Sequence, residues 1–117
     1  MNVNNLIARL NLRVFEPGKN LDRAVSGGYA SDLLSDVMGH ARQDAVWITL
    51  QNHVNVIAVA SLKDLAAVIL VHGQEPATDV LSRAREEGIT LLGTEQDTFQ
   101  TSAQVYMTLN QDETDTR

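Results

Sequence analysis

The stretch I-T-L-Q-N-H-V-N-V-I-A-V-A-S, residues 48–61, breaks an apolar run with Thr49, Gln51, Asn52 and His53, side chains rich in hydrogen-bond donors and acceptors. Either a turn needs polar residues there, or a site is being built. Similar small and polar groups recur at Gly27-Gly28-Tyr29 with Asp32, at His72-Gly73 and at Thr94. Imidazole, amide and hydroxyl groups suit a small anion or a nucleotide-like ligand. Free amides at a helix start add an attraction of about 0.3–1 kcal/mol for negative charge. The expected ligand-binding set is Gly27, Gly28, Tyr29, Asp32, Thr49, Gln51, Asn52, His53, His72, Gly73 and Thr94.

Other chemistries find less support. Asp32 and Asp36 lie one helical turn apart and could share acid–base work or magnesium, although a cap and a solvated face explain the pair better. His40, His53 and His72 have no i, i+4 spacing and no H-E-x-x-H occurs, so no metal site is expected. Ser31, Ser35 and Ser61 have no base and orienting acid at a recognisable spacing, so no catalytic residue is assigned. The chain has no G-x-x-x-x-G-K-[ST] and no G-x-G-x-x-G after a strand. A phosphate-cradling kinase loop is therefore missing, and no cofactor is expected.

The chain has 117 residues and a formal charge of −6, with no cluster of Lys or Arg. Nucleic acid and anionic membrane surfaces are poor partners for such a chain. Without cysteine, it has no disulfide, zinc–thiolate or thiol chemistry of its own. No signal peptide or membrane-length apolar run is visible, and the expected compartment is cytoplasmic. Hydrophobic residues make up 44% of the chain but aromatic ones only 4%, so the core must be aliphatic.

The elements that must position the polar groups follow from spacing. Val3, Leu6, Ile7 and Leu10 predict a helix capped by Asn2. Leu12–Phe15 alternates as a short strand before the turn Glu16-Pro17-Gly18. Arg23–Ser26 is a further extended piece ended by Gly27-Gly28. A helix over 31–41 carries Leu33, Leu34, Val37 and Met38 on one side, with Ser31 or Asp32 as its cap. Ala45–Leu50 and Leu65–Val71 are apolar at nearly every position, as strands covered on both faces are. Trp47 shares a strand face with Ala45 and Thr49, and its indole N–H needs a partner.

Glu75-Pro76 opens a helix ended by Gly88, Ile89–Leu92 is a third buried strand, and Asp97 with Gln100 opens a last helix through about Leu109. Residues 54–63 fit a helical face through Val56, Ile57, Ala60 and Lys63, but their β-branched content also suits a strand. The helix completes a strand–helix rhythm and hence a small, mostly parallel α/β sheet flanked by helices in a single domain. The domain spans residues 1–110, and 111–117 are expected to form a flexible acidic tail.

The segments V-S-G-G-Y-A-S-D-L-L-S-D-V-M-G-H-A, A-V-W-I-T-L-Q-N-H-V-N-V-I-A-V-A, A-A-V-I-L-V-H-G-Q-E-P and E-E-G-I-T-L-L-G-T, in this order and spacing, resemble the small stand-alone DRTGG-domain proteins over residues 3–108. Gly27, Gly28, Asp32, Ser35, Asp36, Trp47, Thr49, Gln51, His53 and Asn55 match the most recognisable positions. The resemblance implies an HPr kinase N-terminal-domain-like fold. It also implies a regulatory or structural role of the kind such domains have beside catalytic parts of HPr kinases, phosphate acetyltransferases and CBS-containing pyrophosphatases. Stand-alone relatives are linked with iron-only hydrogenase systems and sometimes carry an HPr serine kinase label. The expectation is a non-catalytic, ligand-sensing homodimer, possible partners being a small anionic or nucleotide ligand and a redox-enzyme subunit. The alternatives are a pure interaction module and an HPr-type serine kinase.

Overall fold

The computed structural model describes residues 1–115, with side chains through Gln111. The elements in chain order are α1 (Val3–Leu10), β1 (Arg13–Glu16), β2 (Gly27–Ala30), α2 (Leu34–His40), β3 (Ala45–Thr49), α3 (Val54–Leu62), β4 (Ala67–Leu70), α4 (Thr78–Glu87), β5 (Leu91–Gly93) and α5 (Thr98–Asp115). Five strands form one sheet in the order β1-β5-β4-β3-β2. β2, β3, β4 and β5 run parallel, and β1 joins β5 antiparallel. No helix among the described residues is long and apolar enough to cross a membrane.

The layering follows from handedness. From β2 to β5 each new parallel strand is added on the same side of its predecessor. A right-handed crossover then puts every connecting helix on the same face. That face holds the core of α2, α3 and α4, with Val37, Val56, Ile57, Ala60, Val80 and Ala84 packed on Trp47, Val68 and Leu91. The opposite face would be bare if α1 and α5 did not cover it. Val3 and Leu6 of α1 and Val105 of α5 pack there on Val46, Ile48, Ala67, Ile69 and Leu92. β3 and β4 are buried at every residue, which accounts for their uninterrupted apolar sequence.

Residues 54–62 are helical, the alternative that completes the rhythm. Val56, Ile57, Val59 and Ala60 are all buried, because α3 lies between α2 and α4 on the sheet. Propensity alone was bound to be ambiguous for a helix enclosed on so many sides. Asn2 caps α1 in a reciprocal box with Asn5, at 2.8 and 2.9 Å. Gly88 closes α4 in the left-handed region, and Asp97 accepts from the Gln100 amide at 2.8 Å at the start of α5.

Several boundaries differ from the sequence expectation. The extended piece is Gly27–Ala30 and not Arg23–Ser26: the backbone at Leu21 and Arg23 accepts bonds from Asn4 and Val3 at the start of α1. The two glycines therefore lie inside an edge strand. α2 begins at Leu34, because Asp32 and Ser31 turn their side chains to other tasks and Leu33, at the cap position, offers none. Leu33 and Met38 are exposed, leaving Val37 as the buried residue of that short helix. α4 starts at Thr78, past Pro76. α5 runs on to Asp115, beyond Leu109; the side chains from 112 onward, and Thr116 and Arg117, lie outside the described residues.

At the β1–β5 seam, Gly93 pairs with Arg13, and a Cβ at Gly93 would collide with the Phe15 ring. Gly93→Val should lower stability by about 1–3 kcal/mol, the usual cost of overpacking, read as a fall in the urea midpoint with unchanged slope.

Candidate functional site

The C-terminal ends of the parallel strands meet at one rim, which carries residues 30–32, 49–53, 71–74 and 93–97. Most of the expected site falls there: Asp32, Thr49, Gln51, Asn52, His53, His72, Gly73 and Thr94. Gly27 and Gly28 do not join it. They pair with Ala45 and Val46 at the opposite end of the sheet. Tyr29, between the two ends, donates its hydroxyl to Asp36, at 2.9 Å from both carboxylate oxygens.

The polar break opened by Thr49 is organised around Asp32. One Asp32 carboxylate oxygen accepts from the Thr49 hydroxyl at 2.9 Å and from the Leu50 amide at 2.7 Å. Gln51 donates its side-chain amide to the Asp32 carbonyl at 2.9 Å, and its backbone N–H to the Thr49 hydroxyl at 3.1 Å. The Trp47 indole donates to the Ser31 carbonyl at 2.8 Å, the partner its burial requires. The sequence suggests Asp32 as a helix cap; in the fold it is the internal anion of the β3–α3 turn. A ligand anion at this turn would compete with it.

The other rim groups are tied in the same way. His53 caps α3, its Nδ1 accepting from the Asn55 amide at 3.1 Å. Asn52 donates to the Glu75 carbonyl at 2.7 Å and accepts from the Ala77 amide at 3.1 Å, holding the β4–α4 loop against the start of α3. His72 and Gly73 both have positive φ and donate their amides to Gln96 and Thr94, each at 2.9 Å. The Thr94 hydroxyl accepts from the Gln96 amide at 3.2 Å. The rim thus spends many of its backbone donors on itself and leaves the side chains of Gln51, His53, Asn55 and His72 at the surface.

Sequence reasoning missed Arg13. Antiparallel pairing sets it opposite Gly93 and so at the rim, where it contacts Glu75 at 2.6 Å and lies over the Phe15 ring. Its position depends on a partner strand almost eighty residues away, which no local pattern reveals. Arg13 is a fixed cation, unlike the histidines. The strand order progresses one way without reversing, so no switch-point crevice opens at the rim. A groove of about 1040 Å³ lies elsewhere, between β2 and α5. Gly27, Gly28 and Tyr29 line it, and none of the expected rim residues does.

A second polar cluster sits beside β2. The Ser31 hydroxyl, then the Tyr29 phenol, then His40 hold the Asp36 carboxyl below its usual 3.8, and hydrogen bonding to this carboxylate raises the Tyr29 hydroxyl above 10.0. At the other end of the sheet, Arg23 and then Gln43 hold Asp64 below 3.8. Among the described residues no three His, Asp or Glu side chains gather to hold a metal ion.

Asp32→Ala should leave the fully buried Thr49 hydroxyl and the Leu50 amide without their acceptor. The expected loss is about 1–2 kcal/mol in chemical denaturation, and Asp32→Asn, which keeps an acceptor, should lose less. Acid should act through Asp36 and Asp64. Their folded pKa values lie below the unfolded ones, so the folded state binds fewer protons between the two. Their contribution is complete above 3.8 and is lost as pH falls through the folded values. Denaturant midpoints should therefore decline as pH is lowered below about 4, and less steeply in Asp36→Asn.

A solved structure of the CBS and DRTGG domains of the regulatory region of Clostridium perfringens pyrophosphatase, complexed with the activator diadenosine tetraphosphate, has the same fold: TM-score 0.73 over 89% of this chain, at 14% identity. The chain spans 45% of the length of that one. No match is found among curated proteins. The DRTGG domain family matches residues 5–108, from α1 to the buried face of α5 and through every strand of the sheet, and the chain belongs to that family.

Proposed function

We propose that this chain is a non-catalytic regulatory module that senses a small anionic or nucleotide-like ligand at the C-terminal strand rim. It works as a homodimer in the cytoplasm, coupled to a larger system such as a redox enzyme of the hydrogenase type. The observation that carries the ligand reading is the convergence of Arg13, Gln51, His53 and His72 on one rim, a fixed cation beside imidazoles and an amide. The pyrophosphatase region with the same fold is regulatory and is complexed with a nucleotide activator. Here Arg13 would leave Glu75 for a phosphate oxygen, a charge-assisted exchange that guanidinium geometry suits. His53 and His72 would add hydrogen bonds, with Asn52, Gly73 and Thr94 shaping the loops, and Asp32 with Thr49 fixing the turn. Gly27, Gly28 and Tyr29 would enter only if the ligand reached along β2.

Nothing in this reading requires catalysis. A serine kinase of the HPr type needs a phosphate loop that the chain lacks. A pure interaction module is the second reading, and the apolar groove beside β2 favours it.

Thermal-shift and calorimetric titrations with ATP, ADP, diadenosine tetraphosphate and acetyl phosphate test the ligand reading. One of these should raise Tm, since a ligand at 100 times its Kd adds about 2.7 kcal/mol of stability. Arg13→Ala combined with His53→Ala should abolish the shift while preserving the fold. No shift with any of the four would overturn the ligand reading and leave the interaction reading standing.

A further inference from the structure

α5 is amphipathic in an unexpected sense. Among its described residues the buried positions are Thr101, Val105 and Thr108, with Thr101 and Val105 only 1% exposed and Leu109 half-buried on the same core. Its outer side carries Phe99, Tyr106 and Met107, exposed by 81%, 71% and 65%. Threonines face the sheet and large apolar side chains face solvent, the reverse of what a helix packed only on its own domain requires. Phe99, Ala103 and Tyr106 recur at i, i+4 and i+7 and so form a continuous stripe.

That stripe borders the groove of about 1040 Å³, whose floor is β2. β2 ends the sheet order, so only its inner side is paired by another strand. Its outer edge bears none of the devices that usually protect an edge: no lysine, no proline and no charged side chain occurs in Gly27-Gly28-Tyr29-Ala30. Gly28 turns toward α5, where a Cβ would lie 3.2 Å from Val105, and a Cβ on Gly27 would meet nothing within 4 Å. The floor is therefore open to an approaching backbone at Gly27. No described residue lining the groove has a charged side chain, although the chain carries a net charge of −6.

We propose that the occupant of this groove is a second copy of the same chain. The inference rests on the homodimer part of the proposed function and assigns its surface. Two copies of β2 pair antiparallel about a two-fold axis normal to the sheet, joining two five-stranded sheets into one. An isologous contact needs a surface complementary to itself. An edge strand meets this condition, because it supplies donors and acceptors to a copy of itself. A patch whose described lining has no charged side chain, with Met1 contributing the N-terminal ammonium, also meets it, because two acidic copies can touch there without opposing described carboxylates. The same axis keeps both α5 helices on one face, so each copy's Phe99 and Tyr106 enter the groove of the other. The small residues Gly28 and Ala30 beneath them let the helices approach.

Sedimentation velocity of the full chain, from about 1 to 100 µM, tests the assignment. Wild type should be a dimer in this range. Tyr106→Glu and Phe99→Glu should each raise the dimer Kd at least about tenfold. Both side chains are exposed in the single chain, so circular dichroism and Tm at low concentration should stay close to wild type. Amides of Gly27–Ala30 should exchange more slowly with deuterium in the dimer than in the diluted chain. A monomeric wild type at 100 µM would remove the homodimer reading together with this surface. A wild-type dimer untouched by either substitution would leave the homodimer standing and overturn this surface. Loss of an ATP-induced thermal shift in Tyr106→Glu, with the dimer intact, would also overturn it, marking the groove as a ligand site.

Discussion

The one-way progression of right-handed crossovers from β2 to β5 governs this molecule. It commits α2, α3 and α4 to one face and requires α1 and α5 for the other. It fixes which strand is left at each margin. β1 closes the β5 side by antiparallel pairing, while β2 remains with an unpaired outer edge. It also removes the reversal of strand order that would open a crevice at the strand ends. The self-bonded rim and the apolar groove are thus two results of one topological choice.

Within that frame, Asp32 settles what the rim offers. Strand-to-helix turns present unsatisfied amides, and those of this β3–α3 turn are met from inside the chain. Thr49 and Leu50 donate to the Asp32 carboxylate, and the Asn55 amide donates to His53. Any ligand anion therefore gains less from the backbone than helix-terminus attraction alone suggests, and more from side chains that remain exposed. This shifts the weight of recognition toward Arg13 and the imidazoles. Arg13 already has a carboxylate partner in Glu75, but both side chains are more than half exposed, so that pair is weak and exchangeable.

Much of the fold was legible because its central strands are buried on both faces and therefore uninterrupted in sequence, and because Asn2, Gly88 and Asp97 end or open helices by local chemistry. The helical state of 54–62 was legible from rhythm and not from composition, since Val54, Val56, Ile57 and Val59 suit a strand equally. What escaped was non-local. Arg13 reaches the rim through pairing with β5, and Asp32 leaves the helix cap for a bond to the next strand. Gly27-Gly28 has the composition of a turn yet lies in an edge strand, because pairing with Ala45 and Val46 holds it extended, and a Cβ at Gly28 would crowd Val105 at 3.2 Å. The exposed stripe on α5 was hidden for another reason: its buried face is threonine-rich, so a hydrophobic pattern read along the helix points to the outer side.

β2 connects the two surfaces. It runs without a break into Ser31 and Asp32, which are bonded to β3 by the Ser31 amide to the Ile48 carbonyl, the Trp47 indole to the Ser31 carbonyl, and the Thr49 and Leu50 bonds to Asp32. The edge strand and the rim are therefore bonded to β3 together, and the Asp32 carboxylate accepts two of those bonds. A ligand can bias an equilibrium only by its differential affinity for the two states. In this arrangement the differential arises where a ligand anion takes the Leu50 amide and the Thr49 hydroxyl from Asp32. Such an exchange would loosen the end of β2, whereas a ligand held by Arg13 and His53 alone would leave β2 unaltered. The position of Asp32 in the bound state thus separates a module that transmits a signal to its edge strand from one that merely binds.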